Sequence, residues 1–230
     1  MCWSARASLN TYLFALFGAA IGLANGVDVP LLAFMLVFSH VQLVEYLIWS
    51  RGEPTKAGSS VNKALSLAMC GVLAAEPLAA IWMVRAAAAR RRWFAAYGAF
   101  LFAAAAYFII SAGSTRWRTS IASNGHLAWE WLPSFDRLIV GGSSKAIGVA
   151  EVVGVALVTV WCAFLVAPLW GTPWLFWYGA FALGISVACW ARGGTIATMW
   201  CWISAFGWLW IIALAVTGFK KRGSKGTFCR

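Results

Sequence analysis

Three glutamates, Glu45, Glu76 and Glu151, sit inside stretches that are otherwise apolar over about 20 residues, the length of a membrane-crossing helix. A carboxylate at bilayer depth is costly, so it faces a partner, a cavity or a pathway. Gln42, Glu45 and Trp49 follow i, i+3, i+7 spacing and share one helical face. His40 is five residues before Glu45 and points elsewhere. Glu151 is flanked by Gly148 and Gly154, small residues that let another helix approach, so it should point into a bundle. Glu76 precedes Pro77, which frees a backbone carbonyl and tends to kink a helix. Buried carboxyls of this kind suit proton or cation coupling, or acid–base chemistry. Each can equally be a neutral acid that hydrogen-bonds two helices and does nothing more.

Other chemistry is thin. The two histidines, His40 and His126, fall at different heights, and no His-x-x-x-His or Cys-His spacing supports a zinc site. There is no Gly-x-Ser-x-Gly, dinucleotide fingerprint, P-loop or Cys-x-x-Cys. No metal and no cofactor are therefore expected. Covalent retinal would need a lysine within the last span; residues 194–218 contain none, and Lys63 and Lys145 lie at span edges. The six cysteines fall mostly in apolar stretches, where the thiol acts as a small hydrophobe. Cys2 and Cys201 fall on the same side and would pair if the N-terminus folds onto the bundle.

The elements that must position these residues follow from composition. The 230 residues are 62% hydrophobic and 11% charged, with a mean hydropathy of +0.78. Seven apolar segments are long enough to span, at about 10–26, 29–50, 62–84, 93–112, 146–167, 171–190 and 194–218. The runs are continuous, without period-2 alternation, so helices are expected and a barrel is not. The expectation is an all-α integral membrane protein: one seven-helix bundle over residues 1–218, a β-hairpin in the loop 113–145 between the fourth and fifth helices, and a basic tail 219–230. Clustered Arg90, Arg91 and Arg92 in the loop 85–92, and Lys220, Lys221, Arg222 and Lys225 in the tail, place that side in the cytosol. The N-terminus is then outside or lumenal. The net charge of +11 reads as contact with anionic headgroups at loop 85–92 and tail 219–230, not as nucleic-acid binding. Many of the sixteen tryptophans, Trp49, Trp93, Trp170 and Trp190 among them, lie near span ends, where indoles favour the headgroup region. Oligomeric state is left open.

Residues 117–132 carry a hairpin signal. Asn124-Gly125 suits a two-residue type I′ turn, and Pro133 ends the second strand. That turn sets Ser120 opposite Trp129, Arg118 opposite Trp131 and Thr119 opposite Glu130, with His126 on the same face as Glu130. A hairpin alone is marginal in water, so it should rest on the helix ends as a lid. At 1.5 Å per residue from the N-terminal side, Glu45 and Glu151 lie roughly 9 Å deep and Gln42, Cys70 and Cys201 roughly 11–13 Å. His40 falls near the midplane and Glu76 at roughly 20 Å.

Several motifs together resemble one family. They are Met1-Cys2-Trp3-Ser4, Gln42-Leu43-Val44-Glu45-Tyr46-Leu47-Ile48-Trp49, Gly125-His126-Leu127-Ala128-Trp129-Glu130-Trp131 and Met199-Trp200-Cys201-Trp202. The chain is similar, from end to end, to uncharacterised multi-pass membrane proteins of algae, other protists and large DNA viruses. The resemblance implies no activity. It picks out Trp3, Glu45, His126, Trp129, Trp131 and Cys201. The residues expected to bind a ligand are thus Gln42, Glu45, Trp49, His126, Trp129, Glu130, Trp131, Glu151 and Cys201, with His40 and Glu76 secondary. The ligand expected is small and lipid-like, cationic or protonatable, bound or transported in a cavity on the N-terminal side. The alternatives are a lipid-modifying intramembrane enzyme, with Glu45 as acid or base, and a structural subunit of a larger complex.

Overall fold

The computed structural model describes residues 4–56, 59–110, 117–131, 149–190 and 195–217. Helices dominate, as a chain this apolar requires if its backbone groups are to be paired within each segment. They are α1 (Ala5–Ala24), α2 (Val29–Arg51), α3 (Ser60–Trp82), α4 (Ala87–Ile110), α5 (Val149–Val166), α6 (Pro173–Trp190), α7 (Ile196–Ala205) and α8 (Trp208–Val216). Strands β1 (Thr119–Ile121) and β2 (Leu127–Trp129) lie between α4 and α5, and a 3-10 turn over Ala167–Gly171 links α5 to α6. Cys2, the tail 219–230 and all of loop 113–145 except 117–131 lie outside the described residues.

Among the described residues, six segments are long and apolar enough to cross a membrane: α1, α2, α3, α4, Val152–Trp170 and Ile196–Val216. The seventh apolar helix is where the sequence places it, but its apolar run, Pro173–Cys189, is shorter. At 1.5 Å per residue it reaches roughly 26 Å, less than the ~30 Å of a hydrocarbon core. Among the described residues there are thus six segments of full spanning length and one shorter apolar helix. The last span is two pieces. Around Phe206-Gly207 the bonding tightens to i→i+3, with Gly207 N–H on the Ser204 carbonyl at 3.0 Å, and a Cβ on Gly207 would stand 3.0 Å from Met35 and 3.3 Å from Tyr178. The loop 85–92 is also shorter than expected: α4 begins at Ala87, so Arg90–Arg92 ride on its first turns.

Local signals explain the joints. Ser4 and Ser59 cap α1 and α3, each accepting from the backbone N–H three residues on at 3.2 Å. After α1, Gly26 adopts φ +70°. Val27 N–H then bonds Gly22 and Gly26 N–H bonds Leu23, the paired closure that a left-handed glycine permits. Pro30 sits in the first turn of α2, where no partner is lost. The result is a tight α1–α2 antiparallel pair.

The core centres on α2. Of its most apolar stretch 56% is buried, against 11% for α4, which leaves α4 at the periphery. Helix α2 packs on α1, α3 and α7, while α8 packs on α1 and α5 on α3. Gly18 of α1 makes the approach of α8 possible: a Cβ there would stand 2.8 Å from the Trp208 ring. Trp208 is fully buried and donates to Ser39 Oγ of α2 at 2.8 Å. Pro77 does not interrupt α3. The Leu73 carbonyl that loses its helical partner accepts from Trp161 Nε1 of α5 at 2.8 Å.

Candidate functional site

On α2 the expected shared face exists. Gln42 and Glu45 are both fully buried, and Gln42 Nε2 donates to Glu45 Oε2 at 3.0 Å. The i, i+3 spacing suffices to make that bond within one helix. Trp49, one turn further, is partly buried against the same core. His40 faces away, as its spacing requires. Its Nδ1 lies 2.7 Å from the Leu36 carbonyl, which can only accept, so Nδ1 carries the proton. Nε2 then accepts from Tyr12 O–H of α1 at 3.3 Å. His40 is a tie between α1 and α2, not part of the Glu45 face.

The hairpin forms at the end of the bundle where α3 and α7 begin, and it touches both. Its register differs from the expected one. Thr119 pairs with Trp129, Ser120 with Ala128 and Ile121 with Leu127. The loop holds three residues, Ser123-Asn124-Gly125, not two. Gly125 takes φ +78° and donates to the Ala122 carbonyl, while Ala122 N–H reaches the His126 carbonyl, the three-residue closure with a left-handed glycine. A slip of one residue moves every cross-strand partner. Arg118 consequently faces Glu130, with Nε 3.6 Å from Oε1, and the expected pairing of Arg118 with Trp131 is overturned. Glu130 is part-exposed in that ion pair. It alternates with Trp129 and Trp131 and so lies on the opposite face of β2.

Both outer edges of the hairpin are tied by helix side chains. Thr119 N–H and C=O point away from β2, and the Asn62 carboxamide of α3 meets both, each at 2.8 Å. Ser66, one turn on, bonds Thr119 Oγ1 at 2.9 Å. On the other edge, Thr198 Oγ1 of α7 donates to the Leu127 carbonyl at 3.1 Å, and Asn124 Nδ2 donates to Thr195 Oγ1 at 2.9 Å. Asn62 thus substitutes for a third strand, which answers the instability of an isolated hairpin. These anchors, Asn62, Ser66, Thr195 and Thr198, are missing from the expected site.

Leu127, Trp129 and Trp131 are buried and join one continuous core with Val44 and Ile48 of α2 and Cys201 of α7. Trp129 and Trp131 stack at 5.6 Å with planes 7° apart, and Trp117 stacks on Trp131 at 6.3 Å. His126 is buried in the hairpin, and that burial lowers the pKa of its imidazole. Cys201 lies one turn beyond Thr198 on α7 and is buried. Of the expected residues, Trp129, Trp131 and Cys201 therefore share one core, Gln42 and Glu45 are buried on α2, and Glu130 and His40 are engaged elsewhere. Glu151 belongs to α5, but its side chain lies outside the described residues. Glu76 is fully buried on α3, away from the hairpin end.

One open groove lies elsewhere. It holds about 350 Å³ between Trp174, Tyr178, Phe206, Gly207, Leu209 and Trp210, and shares no residue with the Gln42–Glu45 face. No protein-family model, curated protein or solved structure matches the chain.

Proposed function

We propose that this chain is an integral membrane protein with a bundle of seven spans, the shorter α6 included, its tail cytosolic and its N-terminus outside or lumenal. Its activity is to bind, and in the fuller form to carry, a small lipid-like, cationic or protonatable ligand. Glu45 supplies the charge, Gln42 holds one carboxylate oxygen in place, and Cys201, Trp129 and Trp131 form the apolar surround. Glu151 and His126 belong to the wider site. The observation that carries this reading is the Gln42–Glu45 pair, fully buried on the most buried of the six described full-length spans. A carboxyl at such depth is costly to ionise unless it meets a partner, so it suits cation or proton binding. The hairpin serves as a fixed plug over this end, since four helix side chains tie its edges.

The location is testable with a photoactivatable quaternary-ammonium probe applied to the reconstituted full chain. Crosslinks should map to α2 and the hairpin and largely disappear in Glu45→Gln. Crosslinks confined to the groove at Trp174 and Trp210 would move the site away from Glu45.

A further inference from the structure

A second carboxyl is buried where the proposed ligand site does not reach. Glu76 has no exposed surface, and neither of its oxygens has a hydrogen-bond partner among the described residues. It sits six residues before the end of α3, roughly 9 Å along the axis from that end. Its surroundings are specific. Tyr97 of α4 and Trp161 of α5 reach the stretch of α3 just before it. Tyr97 commits its hydroxyl hydrogen to the Ala74 carbonyl at 2.9 Å, and Trp161 commits its indole N–H to the Leu73 carbonyl. The two donors that reach this stretch of α3 thus bond its backbone and leave the acid alone. Trp93, Tyr97, Phe100 and Phe164 close the seam with an aromatic cluster, centroids 5.1–5.8 Å apart.

Among the described residues no cation pairs with Glu76, and Arg51 of α2 and Arg91 and Arg92 of α4 are exposed. His40 of α2 is turned to Tyr12 on α1. The 3-10 turn and β1 carry no titratable side chain. Arg90 of α4 is bonded to the Val84 carbonyl beyond the end of α3, 3.2 Å away. An ionised carboxylate without a partner in such a place is several kcal/mol less stable than the neutral acid. An acid that served only as interhelical glue would use its oxygens, and these are unused.

We propose that Glu76 is a proton-binding site separate from the Gln42–Glu45 pair: it rests as the neutral acid in the α3–α4–α5 seam and exchanges its proton with water while the protein stays folded. The O–H bond breaks, the electron pair stays on the carboxylate, and the proton leaves as hydronium. Uptake is the reverse. The site stands whether or not Glu45 binds a ligand.

Infrared difference spectroscopy of the full chain in lipid nanodiscs reads this directly. At neutral pH the wild type should show the carbonyl stretch of one protonated carboxyl that Glu76→Gln lacks and Glu45→Gln keeps. The band should vanish reversibly as the pH is raised while the protein stays folded. Glu76→Asp keeps the carboxyl and should shift the band instead of removing it, which covers the case in which the Gln variant misfolds. A wild-type band that neither Glu76 substitution changes would overturn the assignment. So would absence of the band at neutral pH. A band that persists until the protein unfolds would show a sealed acid that exchanges no proton.

Discussion

Gln42 and Glu45 were legible as a pair because i, i+3 spacing on a helix determines adjacency before any tertiary contact forms. The same rule separated His40 from them. What single residues contribute beyond this depends on tertiary neighbours, and spacing is silent there. His126 illustrates the point: its spacing put it on a hairpin face, and its burial there comes from tertiary packing. Burial disfavours its charged form and sets its pKa below the ordinary 6.5. Folding therefore binds fewer protons than the unfolded chain in that window. Its share of stability is complete above 6.5 and is lost as the pH falls from there through the lowered value. Tryptophan fluorescence should report loosening of the hairpin on mild acidification, and His126→Gln should blunt that response. A His126→Gln variant with the wild-type acid profile would place the titrating group elsewhere.

Among the elements, the hairpin shows what sequence can and cannot specify. Asn124-Gly125 marked the turn correctly, because glycine tolerates the positive φ that the turn needs. Turn length is not set by that pair alone. The three-residue loop displaced the register by one, and Arg118 met Glu130 instead of an indole. The anchors were hidden for a related reason. Asn62, Ser66 and Thr198 are ordinary residues near helix starts, and their role appears only when a strand edge arrives beside them. Asn62 should matter most. Asn62→Leu leaves Thr119 N–H and C=O buried without partners, each worth about 1–3 kcal/mol. The variant should melt earlier in detergent, and residues 117–131 should exchange amide hydrogens faster than in wild type. Exchange unchanged in that segment would mean that the Trp129–Trp131 packing alone holds the hairpin.

For the whole molecule, helical class and most span positions were readable because long apolar runs leave the backbone few alternatives. Span length was less readable. The described apolar run of α6 is Pro173–Cys189, and the last span breaks at Phe206-Gly207, where a Cβ on Gly207 would crowd Met35 and Tyr178. Orientation rests on clustered arginine and lysine. With an odd number of crossings, an impermeant thiol reagent should label Cys229 and a cysteine introduced in loop 51–61 from opposite faces of sealed vesicles. Labelling of both from one face would require α6 to be a non-spanning helix.

The account turns on Glu45 as the charge that a ligand meets. The direct measurement is equilibrium binding of tetraphenylphosphonium to the full chain in nanodiscs across a pH series, in wild type and Glu45→Gln. Gln keeps the shape and the hydrogen-bonding capacity of the side chain, so the fold should persist while the charge is gone. Wild-type affinity should fall on acidification as the carboxylate is neutralised. The variant should bind at least roughly tenfold more weakly, a loss of about 1.4 kcal/mol, with no pH dependence. Equal affinity and an equal pH profile in the two proteins would contradict the account.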